Sequence, residues 1–332
     1  MSESRQSIPQ AFPAFIAREE ADGNVKAAAG TWQEKDLPPQ GVDIQVEYSC
    51  LNYKDALSAI GNKGVSPNYP HIPGIDASGI RMDSGEKVVI TGFDLGMGSP
   101  GGLAAYARVP EAWLIPLPSS LDSYRAMTYG TAGVTAGLCV QALLDRGVKP
   151  DHGPVLVSGA TGGVGSIAVS ILAGMGFEVH GVTGKDDKHA WLKSIGAAQV
   201  IPRDEFLVKK DRPLMRPEYI GAVDTVGSSM LHRILRSLKF SGTVAACGMV
   251  GGTELETNIF PFILRDVALI GIASADSSRE RKKAIWSKLA DEWSVDWLQE
   301  DAKLIRLDEL PSAVEQILAG GVSGRIVVNP GE

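Results

Sequence analysis

The stretch Val155–Leu172, VLVSGATGGVGSIAVSIL, passes from an apolar run through a knot of glycines into a second apolar run. A strand pattern, a turn of bare backbone and an amphipathic helix pattern in that order commit this part of the chain to an open α/β sheet. Set against the pattern G-x-G-x-x-G, Ala160-Thr161-Gly162-Gly163-Val164-Gly165 keeps the second and third glycines and has alanine at the first. In this register Gly162 lets backbone approach a pyrophosphate, and Gly165 lets the helix pack on the strand. Free N–H groups at the helix start then meet the phosphates with the positive end of the dipole. The bland alternative is a tight turn of any α/β protein, and the flanking strand and helix weigh against it.

About 20 residues beyond such a motif, chains that bind NAD carry an acidic group for the ribose 2′-hydroxyl. This chain reads Thr183-Gly184-Lys185 there. A hydroxyl and an ammonium suit a 2′-phosphate, which a carboxylate would repel, so NADP(H) is expected. Asp186 and Asp187 follow at once and keep NAD as the alternative. Arg203, in VIPRDEF after the presumed third strand, is a candidate to flank the adenine or the phosphate; taken alone, such a residue is more often a surface arginine.

The texture divides the chain. From about Pro150, the apolar runs PVLVSG, FEVHGVTG, YIGAVDTVG, TVAACGMVGG and VALIGIAS alternate with helix patterns at Val164–Met175 and Met230–Leu238, as in a parallel sheet. Upstream, Val42, Ile44, Val46 and Tyr48 share one parity, and EKVVITG and AAYARVP are short strand candidates, giving a β-rich domain. Ser277, three residues before Glu280, forms a capping-box pattern that starts a charged helix leaving the nucleotide domain. The tail offers a strand, a helix carrying Leu310, Val314, Ile317 and Leu318, and a last strand Arg325–Val328 that returns to the first domain.

Composition removes whole classes of function. A net charge of -7 argues against a nucleic-acid surface. No apolar run reaches the ~18 residues of a membrane span, and no leader is evident, so a cytoplasmic location is expected. Cys50, Cys139 and Cys247 are too few and too scattered for a disulfide framework or a four-cysteine zinc site.

LNYKDAL, PHIPGIDASG, GTAGVTA, GATGGVG, AVDTVG and the terminal GRIVV occur in the order of the medium-chain dehydrogenase/reductase superfamily, which the chain resembles over nearly its whole length. The resemblance implies an α/β protein of two domains. A GroES-like β-barrel catalytic domain takes residues 1–132 and 277–332; an inserted Rossmann domain, a doubly wound parallel sheet that binds NADP, takes 133–276. The zinc alcohol dehydrogenases of that superfamily carry Cys-His-x-Asp where this chain has Asn52-Tyr53-Lys54-Asp55, and Gly-His-Glu where it has Gly74-Ile75-Asp76. Asparagine and isoleucine supply neither thiolate nor imidazole, and His71 has no Cys or His partner at ligand spacing, so no metal is expected.

Within the zinc-free branch, SCLNYKDALSAIGNKG, IPGIDASG, VIPRDEF, GAVDTVG, AACGMVGG and PFILRDVALIGI are most similar to the acrylyl-CoA reductase group. That resemblance implies a cytoplasmic homodimer reducing the activated C=C of acrylyl-CoA to propanoyl-CoA with NADPH. The rivals are an NADPH:quinone oxidoreductase using the same cofactor residues, and a non-catalytic NADPH-binding protein on the same fold.

The family's catalytic groups follow the strand IQVEYSCLN, which makes Tyr53 the candidate donor and Lys54 a candidate cofactor contact. The alternatives are a half-buried aromatic and a salt bridge to Asp55. Asn52 orients its neighbours; Thr131 lies near the cofactor amide or is a helix-start hydroxyl. The family pattern carries cofactor contacts onto Tyr53, Thr161, Gly162, Gly163, Val164, Thr183, Gly184, Lys185, Arg203, Met249, Ile263 and Ser274. Arg325 approaches the cofactor or a CoA phosphate, and Lys63, Arg81 and Arg108 are further scattered candidates for the CoA 3′-phosphate.

Overall fold

The structure, a computed structural model, describes residues 7–208 and 212–331; the ends of the expected first domain, residues 1–6 and 332, lie outside that range. The chain divides into two units. One takes the chain up to Thr131 together with Ala275–Asp291 and Leu298 onward; the other takes Ala132–Ser274 and Glu292–Trp297. The return at Glu292–Trp297 has no counterpart in the sequence reading.

The first unit opens with an antiparallel hairpin, β1 (Ala11–Glu19) and β2 (Val25–Gln33). β3 (Val42–Cys50) then starts a sheet that continues through β4 (Asp76–Arg81), β5 (Lys87–Thr91), β6 (Tyr106–Val109) and β7 (Ile115–Pro116). The expected parity of β3 holds only as far as Val46. Its register against β4 shifts between Val46 and Tyr48, and beyond that irregularity Ser49 and Cys50 are both buried. Helix α1 (Tyr53–Ala59) follows, with Asn52 at its N-cap.

The helical stretch α2 (Ser123–Asp145) is broken at Gly130, whose φ of 50° and ψ of -151° are not helical. Only glycine fits there: a Cβ would stand 2.5 Å from Cys50 Sγ and 2.7 Å from Asp76 Oδ2. The boundary between the units falls one residue later, after Thr131.

The second unit is built from β8 (Val155–Ser158), α3 (Gly163–Gly174), β9 (Val179–Thr183), α4 (His189–Ser194), β10 (Gln199–Pro202) and α5 (Arg203–Phe206). It goes on through β11 (Tyr219–Asp224), α6 (Ser228–Ser237), β12 (Leu238–Ala246), α7 (Phe260–Arg265) and β13 (Ala268–Gly271). Strand order is β10-β9-β8-β11-β12-β13 and every pair is parallel. This is the expected Rossmann order, with the chain reversing direction of travel at β8 and β11, where such sheets open a crevice beyond the carboxyl ends of the strands. Leu156, Ala222 and Val244 pack with Ile234 and Leu235 of α6 in its core.

α8 (Arg279–Leu289) belongs again to the first unit. Its N-cap is Ser278, whose side chain accepts from the Arg281 amide, so the cap sits one residue beyond the Ser277 expected from spacing. α9 (Trp297–Asp301), β14 (Lys303–Arg306), α10 (Leu310–Leu318) and β15 (Ile326–Asn329) complete the chain. β15 pairs antiparallel with β3, setting Val327 opposite Cys50, which gives the sheet the order β14-β15-β3-β4-β5-β7 with β6 also on β3. The tail thus returns to the first unit, where Leu310 and Val314 of α10 pack with Leu51 and Ala56. Among the described residues no helix is long and apolar enough to cross a membrane.

Candidate functional site

In the second unit, β8 ends in Gly159, with φ of 56°, and Gly162 N donates back to Gly159 O at 2.9 Å. The tight reversal expected of the motif's first glycine is therefore made by Gly159, one residue upstream of Ala160. Ala160 itself is buried, its Cβ 3.1 Å from the place a side chain at Gly181 would take. Gly165 has no room for a side chain, since a Cβ would sit 2.3 Å from Gly159 O. Gly162 differs: its missing Cβ would meet only Gly159 O, at 3.3 Å, so the open side of the turn is free for a ligand. No side chain caps α3, which leaves its first amides to a phosphate.

At the end of β9, Thr183 is buried and its Oγ1 lies 3.3 Å from Thr161 Oγ1 while accepting from Lys185 N at 3.1 Å. Burial pushes the Lys185 ammonium below its ordinary pKa, an effect that Asp187 opposes. Arg203 reaches the same loop: a Cβ on Gly184 would stand 3.1 Å from its Cζ. Two cations thus converge on a glycine that leaves them space. Asp186 and Asp187 turn to local partners, lying 3.7 Å from His189 and 3.6 Å from Lys188, with their side chains largely in solvent.

Met249 and Ile263 stand 69% and 66% exposed, which sets aside ordinary core packing for both. Ser274 Oγ accepts from Thr135 Oγ1 at 2.7 Å. A feature absent from the sequence reading lies where β8 and β11 meet. Asp224, fully buried, accepts from Ser158 Oγ at 2.6 Å and from the amides of Val226 and Gly227, and burial raises its pKa. It ties together the ends of the two strands that flank the crevice.

In the first unit, a buried polar cluster gathers under α1. Asp55 Oδ2 accepts from the Asn52 amide N–H at 2.7 Å and Oδ1 from Ile75 N at 2.8 Å, joining the start of α1 to the start of β4. Asn52 Nδ2 donates to Asp55 at 3.1 Å and to Asp76 at 2.8 Å. Asp76 also accepts from Cys50 Sγ, Thr131 N and Thr131 Oγ1, at 3.0, 2.8 and 2.6 Å. Arg325, 6% exposed, donates to Thr128 O, Asn52 Oδ1 and Cys50 Sγ at 3.0, 3.2 and 3.0 Å. Burial, and next the charge of Asp76, lift Asp55 to about 7 and hold the Cys50 thiol well above its ordinary range. Beside this cluster Tyr53, at the first position of α1, is 43% exposed, and Lys54 is partly buried.

Comparison with known proteins assigns the fold and the family. Residues 163–291 match the family described as zinc-binding dehydrogenase. The chain is 42% identical to acrylyl-CoA reductase AcuI of Ruegeria pomeroyi over 321 residues, 95% of this chain and 97% of that one. It superposes on the yhdH oxidoreductase of Salmonella enterica, solved in complex with NADP, with a TM-score of 0.92 at 40% identity, covering 96% of this chain and 99% of that one. The Bacillus subtilis protein yhfP, solved with NAD bound, aligns at 0.93 and 39% identity over 97% and 100% of the two chains. The chain belongs to the medium-chain dehydrogenase/reductase superfamily. Its two units are the GroES-like and Rossmann domains of that superfamily.

The family that residues 163–291 match is described by zinc binding, which raises the question whether this chain can hold the ion, and the donor set does not fit it. Asn52 and Ile75 stand at the ligand positions, and a guanidinium, that of Arg325, touches both Asn52 Oδ1 and Cys50 Sγ. A divalent ion would have to displace that fixed positive charge from neutral oxygen and a protonated thiol. Among the described residues no group of three His, Cys, Asp or Glu side chains is arranged for a metal ion. His71 lies at an isolated bridge to Ala17.

The scattered basic residues of this medium-chain reductase are spoken for. Arg108 binds Asp43 and Glu34; Arg81 binds Asp83 and Glu111; Lys63 binds Glu19 and lies 4.7 Å from the centroid of the Tyr69 ring. Each guanidinium pK is raised by its carboxylates, so these three read as structural ion pairs in place of the CoA phosphate contacts that their charge alone suggested.

Proposed function

We propose that this protein uses NADPH, without a metal, to reduce the activated C=C of acrylyl-CoA to propanoyl-CoA. The observation that carries the reading is the saturation of Asn52. Its amide is engaged on both sides, by Asp55 and Asp76 through Nδ2 and by Arg325 through Oδ1, so the donor left for a substrate carbonyl is its exposed neighbour Tyr53. The reaction agrees with the name of the Ruegeria relative, and the coenzyme with the NADP of the Salmonella structure.

When bound, the reduced nicotinamide supplies the hydride to the β-carbon. Tyr53 donates a hydrogen bond to the thioester oxygen, where negative charge develops; a proton from solvent then adds to the α-carbon of the enolate to give propanoyl-CoA, and Lys54 would contact the cofactor. Thr131, whose amide and hydroxyl both donate to Asp76, would face the cofactor amide. In the Rossmann domain, Thr161, Gly162, Gly163 and Val164 hold the pyrophosphate on the uncapped start of α3. Thr183, Gly184, Lys185 and Arg203 hold the 2′-phosphate, which a carboxylate at this loop would repel. Met249, Ile263 and Ser274 line the rest of the cofactor path.

Tyr53→Phe tests the donor. Loss of one preorganised donor to a developing oxyanion is expected to lower kcat with acrylyl-CoA by ~100-fold, measured at saturating NADPH. An unchanged kcat would remove Tyr53 from the chemistry.

The protein is further proposed to work as a cytoplasmic homodimer. β13 supports this, ending the parallel sheet in an edge strand on which Leu269 is exposed. Sedimentation as a monomer at micromolar concentration would contradict it. The three free cysteines agree with a reducing compartment.

A further inference from the structure

Arg325 comes from the far end of the sequence, 273 residues beyond Asn52, and carries a full charge into the interior of the GroES-like unit. A buried guanidinium demands compensation. Its direct partners are neutral, a carbonyl, an amide oxygen and a thiol, and the two carboxylates of the cluster are reached only through Asn52 and Cys50. Asn52 is therefore clamped between unlike charges. Its oxygen faces the guanidinium and its NH2 faces Asp55 and Asp76; the flipped amide would set NH2 against the cation and oxygen against both carboxylates.

Asn52 is also the N-cap of α1, and Asp55, which shares the clamp, closes the first turn on the Asn52 and Ile75 amides. Tyr53 and Lys54 occupy that turn. We infer that Arg325 is a positioning residue: acting through the Asn52 amide, it fixes the first turn of α1 and with it the direction in which Tyr53 presents its hydroxyl. This rests on the reading of Tyr53 as the donor to substrate. The family resemblance offers a different role, contact with a cofactor or CoA phosphate, and the two roles differ in what they leave unchanged.

The experiment compares Arg325→Gln and Arg325→Lys with the wild type in three measurements: NADPH affinity by fluorescence, kcat and KM with acrylyl-CoA, and amide hydrogen exchange of the peptide spanning residues 50–60. Arg325→Gln is expected to lower kcat about 10- to 100-fold, the range typical of outer partners that orient a functional group. NADPH Kd stays within about twofold, and exchange rises at residues 52–56 with Rossmann-domain peptides unaffected. Arg325→Lys keeps charge without the fork and recovers part of kcat. Combining Arg325→Gln with Asn52→Ala costs no more than the worse single change, because both cut one chain of contacts.

The inference is overturned if NADPH Kd weakens tenfold or more at unchanged kcat, or if only KM for the CoA thioester rises, either of which makes Arg325 a phosphate ligand. Unaltered exchange at residues 52–56 overturns it as well. Should Arg325→Gln not fold, the lysine variant decides on the same three measurements. A wild type inactive on acrylyl-CoA, with exchange still coupled to position 325, would instead sink the proposed function and leave the positioning role standing.

Discussion

Lys185 and Arg203 both approach Gly184, which offers no side chain to hold them apart, and the side chains of Asp186 and Asp187 lie largely in solvent. An ammonium partly stripped of water pairs strongly with a phosphate dianion. Lys185→Glu is therefore expected to weaken NADPH by ~100-fold and NADH by no more than ~3-fold, measured as Kd by fluorescence titration. Equal losses would detach the loop from the 2′-phosphate. Lys185 was legible because the spacing from the glycine turn fixes where the second strand must end. The contact between Cys50 and Arg325 was not: they meet across 275 residues, and the family pattern had set Arg325 toward a cofactor or CoA phosphate. Ala160 misled for a subtler reason: the turn needs its left-handed residue at Gly159, before the pattern's first position.

Among the elements, α8 is the one whose sequence conceals its role. SSRERKKAIW reads as a charged, solvated helix, yet Lys282 is fully buried, donating to Thr91 O and Ala275 O at 2.7 Å each and lying 3.3 Å from the centroid of the Phe93 ring. This ammonium fastens the segment re-entering the first unit at Ala275 to the end of β5. Burial pulls its pKa down to about 8 from 10.5. Between those values the unfolded chain holds a proton that the folded chain has lost, so stability rises with pH across that window and is level at its lower value below about 8. Relative to Lys282→Met, the wild type is expected to gain up to ~3 kcal/mol between pH 8 and 10.5, read from denaturant midpoints. Parallel pH curves for the two proteins would contradict this. The central strands β8, β9 and β11 were legible because strands buried at every position are mostly apolar. The break in α2 at Gly130 agrees with Thr131 as a helix-start hydroxyl, but its reason lies in the Cys50, Asp76 and Arg325 atoms packed against Gly130, which no local pattern shows.

At the scale of the molecule, the order of weak motifs along the chain was enough to announce a Rossmann domain inserted into a GroES-like one, because each motif marks an obligatory turn in one or the other. Substrate lay beyond that kind of reading: it depends on which donors remain unspent once the polar cluster has satisfied itself, and the cluster is assembled from four separate segments. The same contacts that saturate Asn52 set a guanidinium where a zinc ligand would stand, so one cluster bears on both the poor fit of a metal and the proposed donor. The most direct test is to follow NADPH and NADH oxidation side by side with acrylyl-CoA, crotonyl-CoA and a benzoquinone, using protein treated with a chelator. Turnover of acrylyl-CoA with NADPH, well above that with NADH and undiminished by the chelator, is the expected result. Turnover of the quinone alone, or loss of acrylyl-CoA reduction on chelation, would contradict it.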